Sequence, residues 1–361
     1  MAQFRFFYRW TIWAPIAAWV MLGAAYALPP HPAFVTLMVL ALGATVFAAV
    51  HHAEVVAHRV GEPFGTLVLA IAVTIIEVSL IVSMMLGPGT GTAGLARDTI
   101  YAAVMIVCNG IVGTCLLVGG IHHHEQRFEV RGAAASLAVL AALSVLTLVM
   151  PNYTSLQLGP MLSPPQLAFA GVSSLVLYGV FVFVQTIRHR EYFLAEAEAG
   201  DEHVHAALPS GRVALASSVL LVVSLVAVVL LAKLLSPTVE AAVSGAGLPQ
   251  AIVGIVIAAL VLLPEALAAV RAARHNRLQT SLNLALGSAL ASIGLTIPAV
   301  AAVSLITHVP LALGIDGRDT VMLALTLLVV TITLGVGRTT ILQGAVHLFL
   351  FATYVFLSLV P

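Results

Sequence analysis

Long apolar runs, interrupted by short polar or turn-forming stretches, recur along almost the whole chain. A transmembrane helix needs about 20 consecutive, mostly apolar residues. Eleven such runs stand out, at 10–28, 33–58, 64–87, 98–121, 132–150, 166–187, 212–235, 248–272, 279–306, 319–337 and 340–360. The runs are continuous and do not alternate with period two, which predicts helices and not the strands of a barrel. The breaks carry turn chemistry: Leu28-Pro29-Pro30-His31-Pro32, Gly87-Pro88-Gly89 and Pro164-Pro165. The longest polar stretch, 188–211, divides the chain after the sixth run and reads as a linker between repeats.

The expected fold is therefore an all-α polytopic membrane protein of about eleven transmembrane helices. An N-terminal helix (1–31) precedes a first five-helix repeat (32–187), the acidic and histidine-bearing linker (188–211) and a second five-helix repeat (212–361). An odd number of spans per repeat makes the two repeats run in opposite directions, which places a substrate site at the midplane where equivalent helices meet. The first run has signal-like features, Arg5 and Arg9 before it and Ala25-Tyr26-Ala27 after it. Its apolar length exceeds a usual signal core, so an uncleaved helix is expected.

Composition strengthens the membrane reading. Of 361 residues, 61% are hydrophobic and 8% charged, with a mean hydropathy of +1.09. A soluble domain carries roughly 25% charged residues, so the outer surface of this chain must be wetted by lipid. The formal net charge is zero, which gives no reason to expect a nucleic-acid partner. With the N-terminus inside, the cytoplasmic segments hold 12 of the 15 basic residues and the outer side holds Arg97, Lys233 and Arg318. That bias places the N-terminus in the cytoplasm. Cys108 and Cys115 lie seven apart on one helix face, where they cannot bridge and read as packing residues.

The informative residues are the rare acids inside apolar runs. Of fifteen acidic residues, only Glu77 and Glu265 sit well within a run. A charge at the bilayer centre costs at least about 2.5–3.5 kcal/mol, so such a residue marks a pathway or site. Glu77 lies in the second run of the first five and Glu265 in the second run of the second five. Their offsets from a preceding proline are similar, 14 residues after Pro63 and 16 after Pro249. Two carboxylates from inverted, equivalent helices would converge at the midplane and neutralise one divalent ion. Ca²⁺ takes about six to eight oxygen ligands. When the ion leaves, desolvation and mutual repulsion raise the affinity of both carboxylates for protons, and their titrations are coupled. A site that holds either a cation or protons is the chemistry of antiport. The alternative is two unrelated acids, each satisfied in its own packing niche.

Further oxygen ligands are available in the fourth and ninth runs: Asn109 and Thr114, then Asn283, Ser288, Ser292 and Thr296. Small residues such as these also serve plain helix packing. Pro264, directly before Glu265, breaks the local helical hydrogen bond, and carbonyls freed at such a break often coordinate cations.

The segments GEPFGTLVLAIAVTIIEVSLI, NGIVGTCLLVGG and LPEALAAVRAARHNRLQTSLNLALGSALAS resemble the two α-repeats of cation/proton exchangers. Within that superfamily of Ca²⁺/cation antiporters they look most like the bacterial ChaA-type Ca²⁺/H⁺ antiporters. The resemblance extends over runs two to eleven and implies a multi-pass protein of the bacterial inner membrane. One glutamate per α-repeat binds cation and protons in that family, which assigns those roles, metal binding included, to Glu77 and Glu265. It also places Asn109 and Ser288 at corresponding positions near the site. The chain departs from the wider Gly-Asn-x-x-Glu pattern, because Ile75-Ile76 and Leu263-Pro264 precede its glutamates. ChaA-type proteins are also associated with Na⁺/H⁺ and K⁺/H⁺ exchange. The implied substrates are a metal cation and protons, carried as cargo, with no resident cofactor. Nothing in the sequence assigns an oligomeric state.

Weaker signals flank this core. His51, Glu54 and His58 share a helix face by spacing and, with Glu62, form a candidate proton path; a solvated helix end is the plainer reading. His122-His123-His124-Glu125 reads as a polar loop. Glu196, Glu198, Asp201 and Glu202 with His203 and His205 read as a soluble linker. The only lysine is Lys233, so no GxxxxGK[ST] nucleotide loop exists, and no cytoplasmic segment has the length of a nucleotide domain; both argue against an ATP-driven pump. A membrane-embedded two-carboxylate hydrolase and a passive cation channel are the rival classes.

Overall fold

The computed structural model describes residues 2–25, 27, 31–61, 64–86, 92–156, 159–193 and 209–360, with backbone alone at 2–9, 64–67, 69, 92 and 240. Among the described residues the chain folds into eleven helices. They are α1 (Ala2–Ala25), α2 (Pro32–Val60), α3 (Phe64–Met85), α4 (Leu95–His123), α5 (Val130–Tyr153), α6 (Pro164–Arg188), α7 (Gly211–Gly245), α8 (Ala251–Arg274), α9 (Leu278–Thr307), α10 (Gly317–Leu334) and α11 (Ile341–Leu359). Nine are long and apolar enough to cross a membrane, and α1 and α3 carry shorter apolar stretches, Trp10–Ala25 and Ala70–Met85. The protein is thus an all-α polytopic membrane protein.

The helix ends follow from local chemistry. Pro32 starts α2 behind His31, whose ring accepts from the Ala33 N–H at 3.3 Å. Ser163-Pro164-Pro165-Gln166 and Thr340-Ile341-Leu342-Gln343 are capping boxes that satisfy the first amides of α6 and α11. Gly61 closes α2 at φ 76°, a conformation that disfavours any side chain. Outward faces are apolar: on α6, Phe169, Val172, Val176, Val180 and Phe183 are all exposed. In water such a band would be an aggregation surface; here it is the lipid face.

The chain forms two compact units. The first comprises Met1–Gly89 and Glu198–Ala242, hence α1, α2, α3 and most of α7. In it α2 packs against both α1 and α3, and the Trp19 indole N–H donates to the Val223 carbonyl of α7 at 3.3 Å. Pro15 lies inside α1 and has no N–H to give the carbonyl of Thr11, four residues back. The ring Nε2 of the buried His52 on α2 reaches that carbonyl at 3.2 Å. Thr45, also on α2, reaches the Ala14 carbonyl at 3.2 Å. The proline in one helix is thereby tied to the next.

The second unit comprises Thr90–Ala197 and Val243–Pro361. Its centre is α4, with 72% of its apolar window buried, the largest share of any span. Helices α4 and α8 run parallel: Gly254 abuts the backbone of Asp98 and Thr99, and at the other end the His123 ring meets the Arg274 carbonyl at 2.9 Å. Helices α4 and α11 run antiparallel along a glycine seam. A Cβ on Gly120 would meet Ile341, one on Gly113 would meet His347, and one on Gly344 would meet Leu117. Missing side chains let the backbones approach as membrane helices require. A two-residue antiparallel ladder, β1 (Gln126–Arg127) with β2 (Arg338–Thr339), joins the loops at that end. In this unit Arg97 and Arg318 sit with Asp98, Asp316 and Asp319 at the opposite end of α4 from Arg127 and Arg338.

Candidate functional site

Both membrane glutamates face protein. On α3, the buried stripe is Val73, Ile76, Glu77, Leu80, Ile81 and Met84, while Ile71 and Ile75 on the other side are exposed. Glu77 is 2% exposed, one turn beyond the buried Thr74. On α8, Gly254, Ala258, Val261, Leu262, Glu265 and Ala269 form the buried stripe, and Val256, Leu263 and Leu267 are exposed. Glu265 is 9% exposed. Each helix has the usual 3.6-residue periodicity; its one acid lies on the buried stripe among apolar residues, and its exposed face is wholly apolar. A buried carboxylate on a membrane helix is costly unless it is neutralised by a proton, a cation or a hydrogen-bonding niche. Glu77 belongs to the first unit and Glu265 to the second.

Helix α8, which carries Glu265, packs against α4 and α9, the two helices that carry the other candidate ligands. Asp98 and Gly254 mark one contact between α4 and α8. Asn109 lies 11 residues after Asp98, and Glu265 lies 11 after Gly254, so the two parallel helices carry them at similar depth. At that depth α4 leaves regular geometry, and Ile106–Ile111 form a π-helical turn. Such single-turn bulges occur disproportionately at functional sites. Helix α9 packs against this turn and against α8. Ser292 and Thr296 on α9 are buried and Ser288 is half-buried. Thr114 donates to the Gly110 carbonyl within its own helix at 2.7 Å.

The backbone irregularity falls on a different helix from the one expected. Helix α8 runs from Ala251 to Arg274 straight through Pro264. A proline removes a single N–H, and packing on both sides holds the rest of the helix. The π-helical turns lie in α4 and at Val145–Val149 of α5 and Val184–Arg188 of α6, while α8 stays α-helical at Glu265.

Asn283 is occupied elsewhere. Its amide donates to the Phe193 carbonyl, and its Oδ1 accepts from Gln279 at 3.1 Å, while Gln279 accepts from the Glu129 N–H at 2.8 Å. These bonds fasten the first turns of α9 to the segment after α6. Of the candidate proton path, His51 is half-buried and meets His52 edge to face at 5.5 Å. Glu54 and His58 are exposed, and Glu62 lies outside the described residues, as do the linker residues Glu196, Glu198, Asp201, Glu202, His203 and His205. Of the polar loop, His123 caps α8 through the Arg274 carbonyl, and Glu125 lies 3.6–3.7 Å from Arg338 and Arg127. Among the described residues no three His, Cys, Asp or Glu side chains gather as a resident metal centre.

One residue escaped the sequence reading. His347 on α11 is fully buried and lies 3.2 Å from the Asn109 side chain. The signal was available: it is the only histidine in the middle of the last apolar run, and an ionisable residue there marks a site by default.

The family model for the sodium/calcium exchanger protein matches residues 31–187 and again 216–360. The chain is 52% identical over 338 residues to the putative ionic transporter y4hA of Sinorhizobium fredii, covering 93% of this chain and 92% of that one. It is 35% identical to the sodium-potassium/proton antiporter ChaA of Escherichia coli, covering 94% and 93%. Among solved structures, the Ca²⁺/H⁺ antiporter protein YfkE superposes with a TM-score of 0.73 at 14% identity, covering 99% of this chain and all of that one, which shows a common fold.

Proposed function

On the premise that the chain belongs to the sodium/calcium exchanger protein family, we propose that it is a secondary-active cation/proton antiporter that exports Ca²⁺ in exchange for H⁺ by alternating access. Glu77 and Glu265 take up the cation and the protons in turn. The observation that carries this reading is the placement of the acids in α3 and α8: each helix sets its single mid-span acid, Glu77 or Glu265, on the buried stripe. Two carboxylates balance one divalent ion, and with the ion gone they bind protons, so cation and proton compete for the same oxygens. The two matches of one family model, on either side of the linker, support a pair of related repeats, 32–187 and 212–361, after an N-terminal helix. Asn109, Ser288 and Ser292 complete the proposed ligand set, and Asn283 serves to anchor α9. The protein resides in a bacterial inner membrane with its N-terminus in the cytoplasm.

A monovalent reading has its own support. The relative at 35% identity is named for sodium-potassium/proton exchange, and the glutamates here lack the asparagine of the wider Gly-Asn-x-x-Glu pattern. Fluxes driven by a pH gradient in everted membrane vesicles, with Ca²⁺, Na⁺ and K⁺ compared side by side, test both. The Ca²⁺ reading requires Ca²⁺ accumulation that stops when the gradient is collapsed. Accumulation of Na⁺ or K⁺ alone would replace it with the monovalent reading. Flux that persists without a gradient would point to a channel, and no flux of any ion to a membrane-embedded hydrolase.

A further inference from the structure

The π-turn of α4 is held by a chain of side chains from two other helices. In the turn, the Val112 N–H bonds the carbonyls of Val107 and Asn109, so it is not spent on Cys108, its partner in a regular helix. His347 of α11 places its Nδ1 at 3.2 Å from Oδ1 of Asn109, a residue of the turn itself. Asn109 in turn donates through Nδ2 to Thr326 Oγ1 of α10 at 2.9 Å, and Thr326 points its hydroxyl at Met105 Sδ, 3.5 Å away. On the far side of the ring, Nε2 lies 3.2 Å from Thr333 Oγ1. Asn109 Oδ1 can only accept, so Nδ1 carries the proton and Nε2 accepts from Thr333. Every donor then points one way, from Thr333 through His347, Asn109 and Thr326 to Met105. Asn109, Thr326 and His347 each have no exposed surface. Thr326 and Thr333 are seven apart and share one face of α10.

A fully satisfied, fully buried polar chain specifies one arrangement of the groups in it. The groups it specifies are the amide of a proposed ion ligand and the irregular turn at the depth of Glu265. We propose that His347 is a positioning residue for exchange: it fixes the π-turn of α4 and the orientation of Asn109, and so sets the affinity of the site for its cation. This rests on the reading of Asn109 and Glu265 as part of the ion site. The competing possibility is a histidine that only supports packing along the α4–α11 seam, where removal would lower stability and leave cation affinity alone.

The test measures the apparent KM for Ca²⁺ in everted vesicles, with Na⁺ and K⁺ run alongside, at equal amounts of inserted protein. His347→Asn keeps a donor where Nδ1 stands, and His347→Gln moves the amide towards the Nε2 position. The glutamine variant is expected to raise KM about tenfold, as loss of a hydrogen bond that aligns a ligand does, and the asparagine variant to stay within about threefold of the parent. In an Asn109→Ala background His347→Gln should add no further rise, because it acts through Asn109. An unchanged KM in His347→Gln, or effects of Asn109→Ala and His347→Gln that multiply independently, overturns the proposal. Should the glutamine variant fail to reach the membrane, Thr326→Val removes the other partner of Asn109. The same rise is expected there, and an unchanged KM overturns the proposal equally. Glu265→Gln assayed in parallel separates the two levels: transport retained in that variant removes Glu265 from the site, while the non-additivity of Asn109 and His347 still decides what His347 does.

Discussion

Two buried histidines stand beside two backbone irregularities, and they do different things with them. In the first unit His52 meets the Thr11 carbonyl that Pro15 cannot satisfy. In the second unit His347 meets the side chain of Asn109, which lies in the π-turn of α4. The His52 bond ends on backbone, and its other nitrogen, Nδ1, is buried without a hydrogen bond among the described residues. It joins two helices and passes nothing further. Both nitrogens of His347 are engaged, one toward α4 and one toward Thr333 of α10. In a lipid-embedded protein every irregular carbonyl needs a partner, and a histidine supplies one cheaply. What separates the two is the group each ring meets: a backbone carbonyl alone for His52, and the side chains of Asn109 and Thr333 for His347.

The sharpest way to break this comparison is at the two carboxylates of the proposed site, one in each unit. Glu77→Gln and Glu265→Gln are each expected to reduce exchange by about 100-fold or more while the protein inserts and unfolds normally, since each removes a charge required by cation and proton alike. Retained flux in either variant would remove that residue from the mechanism. Next in size is the glycine seam that brings His347 to α4. A Cβ at Gly113 would lie 2.9 Å from the His347 Cβ. Gly113→Ala is therefore expected to cost about 1–3 kcal/mol by overpacking and to raise the cation KM with it. Thermal unfolding in detergent and vesicle flux measure the two effects, and a variant that keeps both values would show that the seam has slack. The contrast itself is tested by His52→Leu. It should lower stability by about 1–3 kcal/mol, the cost of stranding a buried carbonyl, and leave KM within about twofold. A large KM change there would erase the distinction between the two histidines. The smallest effect belongs to Asn283→Ala, which should cost about 1 kcal/mol for the lost bond to Phe193 and leave ion affinity unchanged. A weakened affinity would return Asn283 to the ligand set.

The spans were legible because hydropathy is a one-dimensional signal. The eleven apolar runs coincide with α1 to α11, most ends displaced by a few residues; the first helix already starts at Ala2 and the seventh continues ten residues past its run to Gly245. Glu77 and Glu265 were conspicuous for the same reason, as acids where acids are expensive. Ligand geometry was not legible. A π-turn has no composition of its own: Ile106–Ile111 reads as a regular helix in the sequence. Asn283 and Asn109 look alike in sequence, yet one lies in the first turns of α9, beside Phe193, and the other in the core, beside His347. Pro264 carried a break signal that packing overrode, whereas Pro15 carried the same signal and its consequence was taken up by a helix 37 residues further on, at His52. Such assignments depend on which residues meet across helices, and no periodicity records that.

The most direct measurement follows cation and protons together. In everted vesicles holding a pH gradient, Ca²⁺ added outside should enter while the acid interior loses protons in proportion. Na⁺ and K⁺ added in turn define the selectivity, and vesicles carrying Glu77→Gln with Glu265→Gln should show neither movement. Cation entry with no accompanying proton movement, or coupled exchange that survives loss of both carboxylates, would contradict the account.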